Sequence, residues 1–151
     1  MTATRDFDQP ETLYEVGGRI RTEVLGAAHV AQSTGTTPSF GTPMQQLVTE
    51  YCWGSVWSRP GLDRRTRSLV NLSMLTALNR QHEIGVHIRG ARNNGCTKQE
   101  IQEVLLQTAI YCGVPAAMEA FRTAEAALAA LDAECDDTST PTSQRPDHGG
   151  E

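Results

Sequence analysis

The chain has 151 residues, 38% hydrophobic and only 5% aromatic, with a formal charge of -5. That length fits one domain, and the acidic balance excludes nucleic acid and anionic membrane as expected partners, since both are captured by basic faces. No apolar run approaches the ~20 residues that cross a bilayer, and the start MTATRDFDQP lacks the apolar stretch of a secretion signal, so a cytoplasmic protein is expected.

Residues 1–10 carry Asp6, Asp8 and Gln9 with a single Phe, and residues 134–151 hold almost nothing that can bury. Both ends are expected to be mobile, which leaves 11–133 as the folded domain. A unit this small and this poor in aromatics buries a limited share of its surface, so contacts between subunits are expected to complete the core. Cys52, Cys96, Cys112 and Cys135 are scattered rather than spaced as a framework. They are expected to be reduced thiols acting as small apolar fillers.

In chain order, Leu13, Val16, Ile20 and Val24 recur at steps of three and four, which predicts an amphipathic helix over 11–25 ended by Gly26 and weakened by Gly17 and Gly18. Residues 31–42 are rich in Ser, Thr, Gly and Pro and predict a loop. Thr42 as cap, Pro43 in the first turn and Gln45 reaching back predict a second helix over 43–57, broken by Arg59-Pro60-Gly61. Asp63 caps a third over 64–79, whose apolar residues cover most of its circumference and place it centrally. A fourth spans 81–93 and closes at Asn94-Gly95. The capping box Thr97-Lys98-Gln99-Glu100 opens a fifth, and Gly113 and Pro115 separate it from an alanine-rich sixth over 116–132. With no strand pattern, the fold class is all-α.

Glu83 and His87 stand four apart on the fourth helix, which stacks their side chains on one face. A carboxylate beside an imidazole fixes its tautomer and raises its pKa, giving a proton donor useful near neutrality; the same spacing also occurs in plain solvated pairs. Arg59, Arg64, Arg65 and Arg67 gather at a helix start and form an anion trap suited to a small carboxylate, with solvated ion pairing as the alternative. His29 is expected in or beside a loop, leaning over a cavity. Trp53 and Trp57, also four apart, read first as core or interface anchors.

These residues carry a resemblance. Trp57-Ser58-Arg59-Pro60-Gly61-Leu62, Arg64 with Thr66 to Val70, Glu83-Ile84 with His87 and Arg89, and Asn93-Asn94-Gly95 with Thr97 and Glu100-Ile101 are similar to the carboxymuconolactone decarboxylase family. So are residues 103–106, 109–113, Pro115-Ala116, and Leu25-Gly26 with His29-Val30, so that the likeness spans nearly all of 11–131. It implies a six-helix alkylhydroperoxidase-like fold assembled as a homo-oligomer, a hexamer or trimer, and a cofactor-free enzyme with no metal. The implied reaction is loss of carbon dioxide from γ-carboxymuconolactone, giving the β-ketoadipate enol-lactone in bacterial breakdown of aromatic acids.

Under that resemblance the substrate is a small carboxylated lactone. Glu83 orients and polarises His87, while His87 or His29 delivers the proton. Arg64, Arg65, Arg67 and Trp57 line the substrate site. Sister alkylhydroperoxidases use Cys-x-x-Cys before the histidine; Arg80 and Glu83 stand there instead, so dithiol chemistry is excluded. The chain departs from the decarboxylase pattern at Ala27, where an acid is usual, at Gln32, where an arginine is usual, and at Arg65 and Arg122, where histidines are usual. Those changes move the anion-binding points and leave the particular lactone open. Isomerisation, dehydration or cyclisation of another unsaturated acid would use the same machinery, and a non-catalytic small-acid binding assembly is the remaining alternative.

Overall fold

The computed structural model describes residues 10–35 and 39–139, with side chains described to 136. Among these residues it is all-α: α1 (Leu13–Leu25), α2 (Ala27–Gly35), a 3-10 turn (Ser39–Gly41), α3 (Thr42–Leu47), a π-helix (Val48–Val56), α4 (Arg64–Ala77), α5 (Gln81–Asn93), α6 (Lys98–Tyr111) and α7 (Val114–Ser139). None of these helices is long and apolar enough to cross a membrane. Of the two ends expected to be mobile, 1–9 and 140–151 lie outside the described residues, while 134–139 continues α7.

Local chemistry accounts for most boundaries. Thr12 and Glu15 form a capping box for α1, with the Thr12 amide donating to Glu15 Oε2 at 2.8 Å and the Glu15 amide returning to Thr12 Oγ1 at 3.2 Å. Thr97 and Glu100 do the same for α6, and the Asp63 carboxylate accepts from the Thr66 amide at 2.6 Å to start α4. Gly26 stops α1 with a φ of 89°, a conformation open to glycine at no steric cost.

Three expectations need correction. The stretch 31–35, read as loop, completes α2, because Ser33 and Thr34 turn their hydroxyls back onto the Val30 carbonyl at 3.0 and 2.8 Å and leave the helix intact. Thr42 is the first residue of α3 rather than its cap; the cap position falls on Gly41, and Gln45 reaches Arg21 instead of the cap. The second predicted helix is an α-turn followed by nine π-helical residues, a wider coil that no apolar period announces.

Two cores result. Leu72, Ile84, Ile88, Ala91, Cys96, Ile101, Leu105, Ala120 and Ala124 fill the space among α4, α5, α6 and α7. Ile20, Val24, Leu25, Trp53 and Trp57 form a second between α1 and the π-helix, with Val86 of α5 packed on it. Of the cysteines expected as fillers only Cys96 is buried; Cys52, Cys112 and Cys135 are exposed.

Candidate active site

α5 presents His87 toward the second core. The imidazole stacks on Trp53 with ring centroids 6.4 Å apart and planes 11° apart, and Trp53 in turn packs on Trp57 at 4.8 Å. From α4, Asn71 brings its amide nitrogen to 3.2 Å from His87 Nδ1 and 3.4 Å from Nε2. An amide N–H has a proton to give and no lone pair to offer, so Asn71 favours a ring with an unprotonated nitrogen. Burial acts in the same direction and dominates, taking the His87 pKa from 6.5 down to about 4, with Glu83 pulling upward and His29 adding a further push downward.

That outcome revises the expectation for the Glu83–His87 pair. Glu83 is exposed, and among the described residues it makes no hydrogen bond to the imidazole. Its charge raises the His87 pKa as spacing predicts, but desolvation outweighs it, and the ring is neutral near pH 7.

Asn71 also forms part of the wall of a hollow of about 410 Å³. The π-helix supplies Tyr51, Cys52 and Val56, its C-terminal cap supplies Trp57, and α4 supplies Arg67, Val70 and Met74, with Leu62 from the intervening loop. Arg67 is the hollow's cation. Its Nη2 donates to the Arg59 carbonyl at 3.2 Å, its Nε is buried without a hydrogen-bond partner, and among the described residues no carboxylate lies within ion-pair distance. A buried donor left unpaired costs about 1–3 kcal/mol, so the arrangement is one that an incoming anion improves.

The other expected anion binders are engaged elsewhere. Arg64 pairs with Glu23 at 2.6 Å and borders a separate hollow behind Trp57. Arg65 pairs with Glu100, and Arg122 with Glu119 on the α7 surface. The structure therefore brings Arg67, Trp57 and, through Asn71, His87 together, and does not bring Arg64 or Arg65 with them. His29 lies on α2 in another hollow, with Ala28, Gln32, Arg89 and Glu134, and acts on His87 through its charge. Sequence reasoning missed Asn71, which has no motif of its own. It also missed Arg21, a buried arginine that donates to Gln45 at 2.9 Å and to Thr49 and Ser33 at 3.3 Å, tying α1 to α2, α3 and the π-helix.

Two comparisons bear on this arrangement. A sequence profile of the Carboxymuconolactone decarboxylase family matches residues 42–126, which hold Trp57, Arg67, Asn71, Glu83 and His87. The chain is 44% identical over 115 residues to a 4-carboxymuconolactone decarboxylase from Acinetobacter baylyi, covering 76% of this chain and 86% of that protein. It is also 44% identical over 108 residues to a nitrosuccinic acid decarboxylase from Metarhizium robertsii, covering 72% of this chain and 76% of that one. The chain belongs to the carboxymuconolactone decarboxylase family and is a carboxy-lyase of that family.

Proposed function

We propose that the protein releases carbon dioxide from a small polycarboxylic acid whose bonding electrons can pass into an adjoining acceptor, and that the hollow beside Asn71 and His87 is where this happens. 4-Carboxymuconolactone and nitrosuccinate are the two candidate substrates, and they share that chemistry. When the carbon–carboxylate bond breaks, its electron pair enters a conjugated lactone carbonyl in the first and a nitro group in the second. A proton then takes the place of carbon dioxide on carbon.

Each group has a part in that sequence. Arg67 holds a carboxylate and stays close to the charge that develops on the acceptor. Apolar walls from Val56, Trp57, Val70 and Met74 disfavour the localised charge of the carboxylate relative to the dispersed charge that follows. His87 is neutral in the free protein; a bound anion offsets its desolvation, the ring takes up a proton from solvent, and that proton goes to carbon. Glu83 assists through its charge, and Asn71 fixes the ring. His29 acts on His87 from a distance.

The unpaired Arg67 in an apolar hollow beside a held imidazole is the observation that supports this reading most. Val56, Leu62, Val70 and Met74 at its rim are each close to half exposed, an apolar face that favours a homo-oligomer, a trimer or hexamer, in which another copy closes the hollow. Purified protein supplied with each acid in turn, with carbon dioxide release followed, tests the assignment. Turnover of one acid at a kcat/KM at least about 10⁴ M⁻¹s⁻¹ is expected, and no release from either acid refutes it.

A further inference from the structure

α7 continues beyond the core it serves. Residues 132–136 are exposed, and ion pairs tie these turns to the body, Lys98 to Asp132 at 2.6 Å and Arg89 to Glu134. The second pair closes one side of a hollow of about 470 Å³ that also contains His29 and Gln32. There the Arg89 guanidinium grips a carboxylate with both prongs, Nη1 to Oε2 at 2.7 Å and Nη2 to Oε1 at 2.6 Å. This is the geometry in which arginine recognises carboxylate ligands, and here the carboxylate belongs to the chain itself.

We propose that the hollow beside His29 is a binding site for a small carboxylate, with Arg89 as its anchoring cation and Glu134 as a tethered competitor that occupies the anchor in this structure. Glu134 is 56% exposed and the turns around it bury little, so the helix end can fray locally at small cost. An exposed ion pair holds such an end weakly. Once it opens, Arg89 faces an open hollow of the size that takes small ligands. Within that hollow Arg89 and His29 are the groups that attract an anion once Glu134 has left. Burial first, then the charges of Arg21 and Arg89, push the His29 pKa below its ordinary value, and an anion beside the ring would reverse that push. The site is separate from the hollow of Arg67 and stands whether or not that hollow decarboxylates its ligand.

Succinate, a small dicarboxylate, is the probe, and the His29 ring resonances are the reporter; His29 and His87 feel each other's charge, so the Arg89 and Glu134 variants below separate this hollow from the Arg67 hollow, whose ligand they leave in place. Titration of the full chain is expected to shift these resonances. Glu134→Gln removes the competitor and should lower the apparent Kd by about two- to fivefold, the scale on which exposed ion pairs act. Arg89→Gln should abolish the shift, while Arg89→Lys, which keeps the charge but loses the fork, should retain part of it. Unmoved His29 resonances, or a Kd that Glu134→Gln leaves unchanged, overturn the proposal. Since the readout is binding, a protein that releases no carbon dioxide leaves this result standing.

Discussion

Asn71 on α4 and His87 on α5 meet with the amide nitrogen 3.2 Å from Nδ1, and through this contact the imidazole connects to the hollow that holds Arg67. The contact donates to a neutral ring and opposes a charged one. Asn71→Asp places a carboxylate where the amide was, so the His87 titration midpoint, read from its ring resonances, should rise by at least about one unit from its value of about 4. Asn71→Leu, which removes the bond while keeping the volume, should lower kcat about tenfold or more and leave KM nearly unchanged. A midpoint that does not move in Asn71→Asp sets the positioning role aside.

His87 also makes stability depend on pH in a defined window. Its folded pKa, about 4, lies below the unfolded value of 6.5, so between those limits the unfolded chain binds more protons and folding weakens as pH falls. Above 6.5 the ring is neutral in both states and contributes no such loss. At about 1.36 kcal/mol per pH unit, the displacement from 6.5 to about 4 corresponds to at most roughly 3 kcal/mol. Urea unfolding at pH 7 and pH 4.5 should therefore show a smaller acid loss in His87→Gln than in the parent chain, while turnover in the same variant falls about a hundredfold. Equal acid losses in the two proteins would contradict a ring buried in its neutral form.

Arg67 separates activity from stability. Its Nε is buried and unpaired, so replacing the side chain by an apolar one of similar length removes an unsatisfied donor. Arg67→Met should melt at the same temperature as the parent or slightly above it, and lose about a hundredfold or more in kcat/KM as the carboxylate contact disappears. A variant that loses stability and keeps activity would show Arg67 to be a structural cation.

The helices announced themselves where side chains cap the backbone. Asp63 and the Thr97–Glu100 box open α4 and α6 at the expected places, because a cap is local chemistry that sequence order preserves. The π-helix was illegible, since no apolar period announces a wider coil. In the site, the Glu83–His87 spacing was readable, whereas the direction of the His87 shift was not. Spacing on one helix reveals the neighbouring charge but not the burial imposed by Trp53 and Asn71 from other elements. The arginine cluster was readable as a cluster, yet which member stays unpaired depends on Glu23 and Glu100, residues distant in sequence that claim Arg64 and Arg65.

Adjacent glycines in α1 give the sharpest test of how α1 packs on the π-helix. In sequence Gly17 and Gly18 both look like weak points of an amphipathic helix. In the structure a Cβ on Gly17 would collide with the Thr49 carbonyl oxygen and stand 2.8 Å from the Gly54 backbone nitrogen, while a Cβ on Gly18 meets nothing within 4 Å. Gly54 is equally constrained from its side by the Leu13 backbone, so α1 and the π-helix touch backbone to backbone. Gly17→Ala must push the two helices apart and should cost on the order of 3 kcal/mol or more. Because the π-helix carries Trp53 and is capped by Trp57, the displacement should also disturb the floor under His87 and lower turnover. Gly18→Ala adds helix propensity at an open position and should raise stability by up to ~1 kcal/mol with activity intact. Thermal melts of the two variants side by side decide the matter, since equal effects at both positions would mean that the close approach of α1 to the π-helix does not hold.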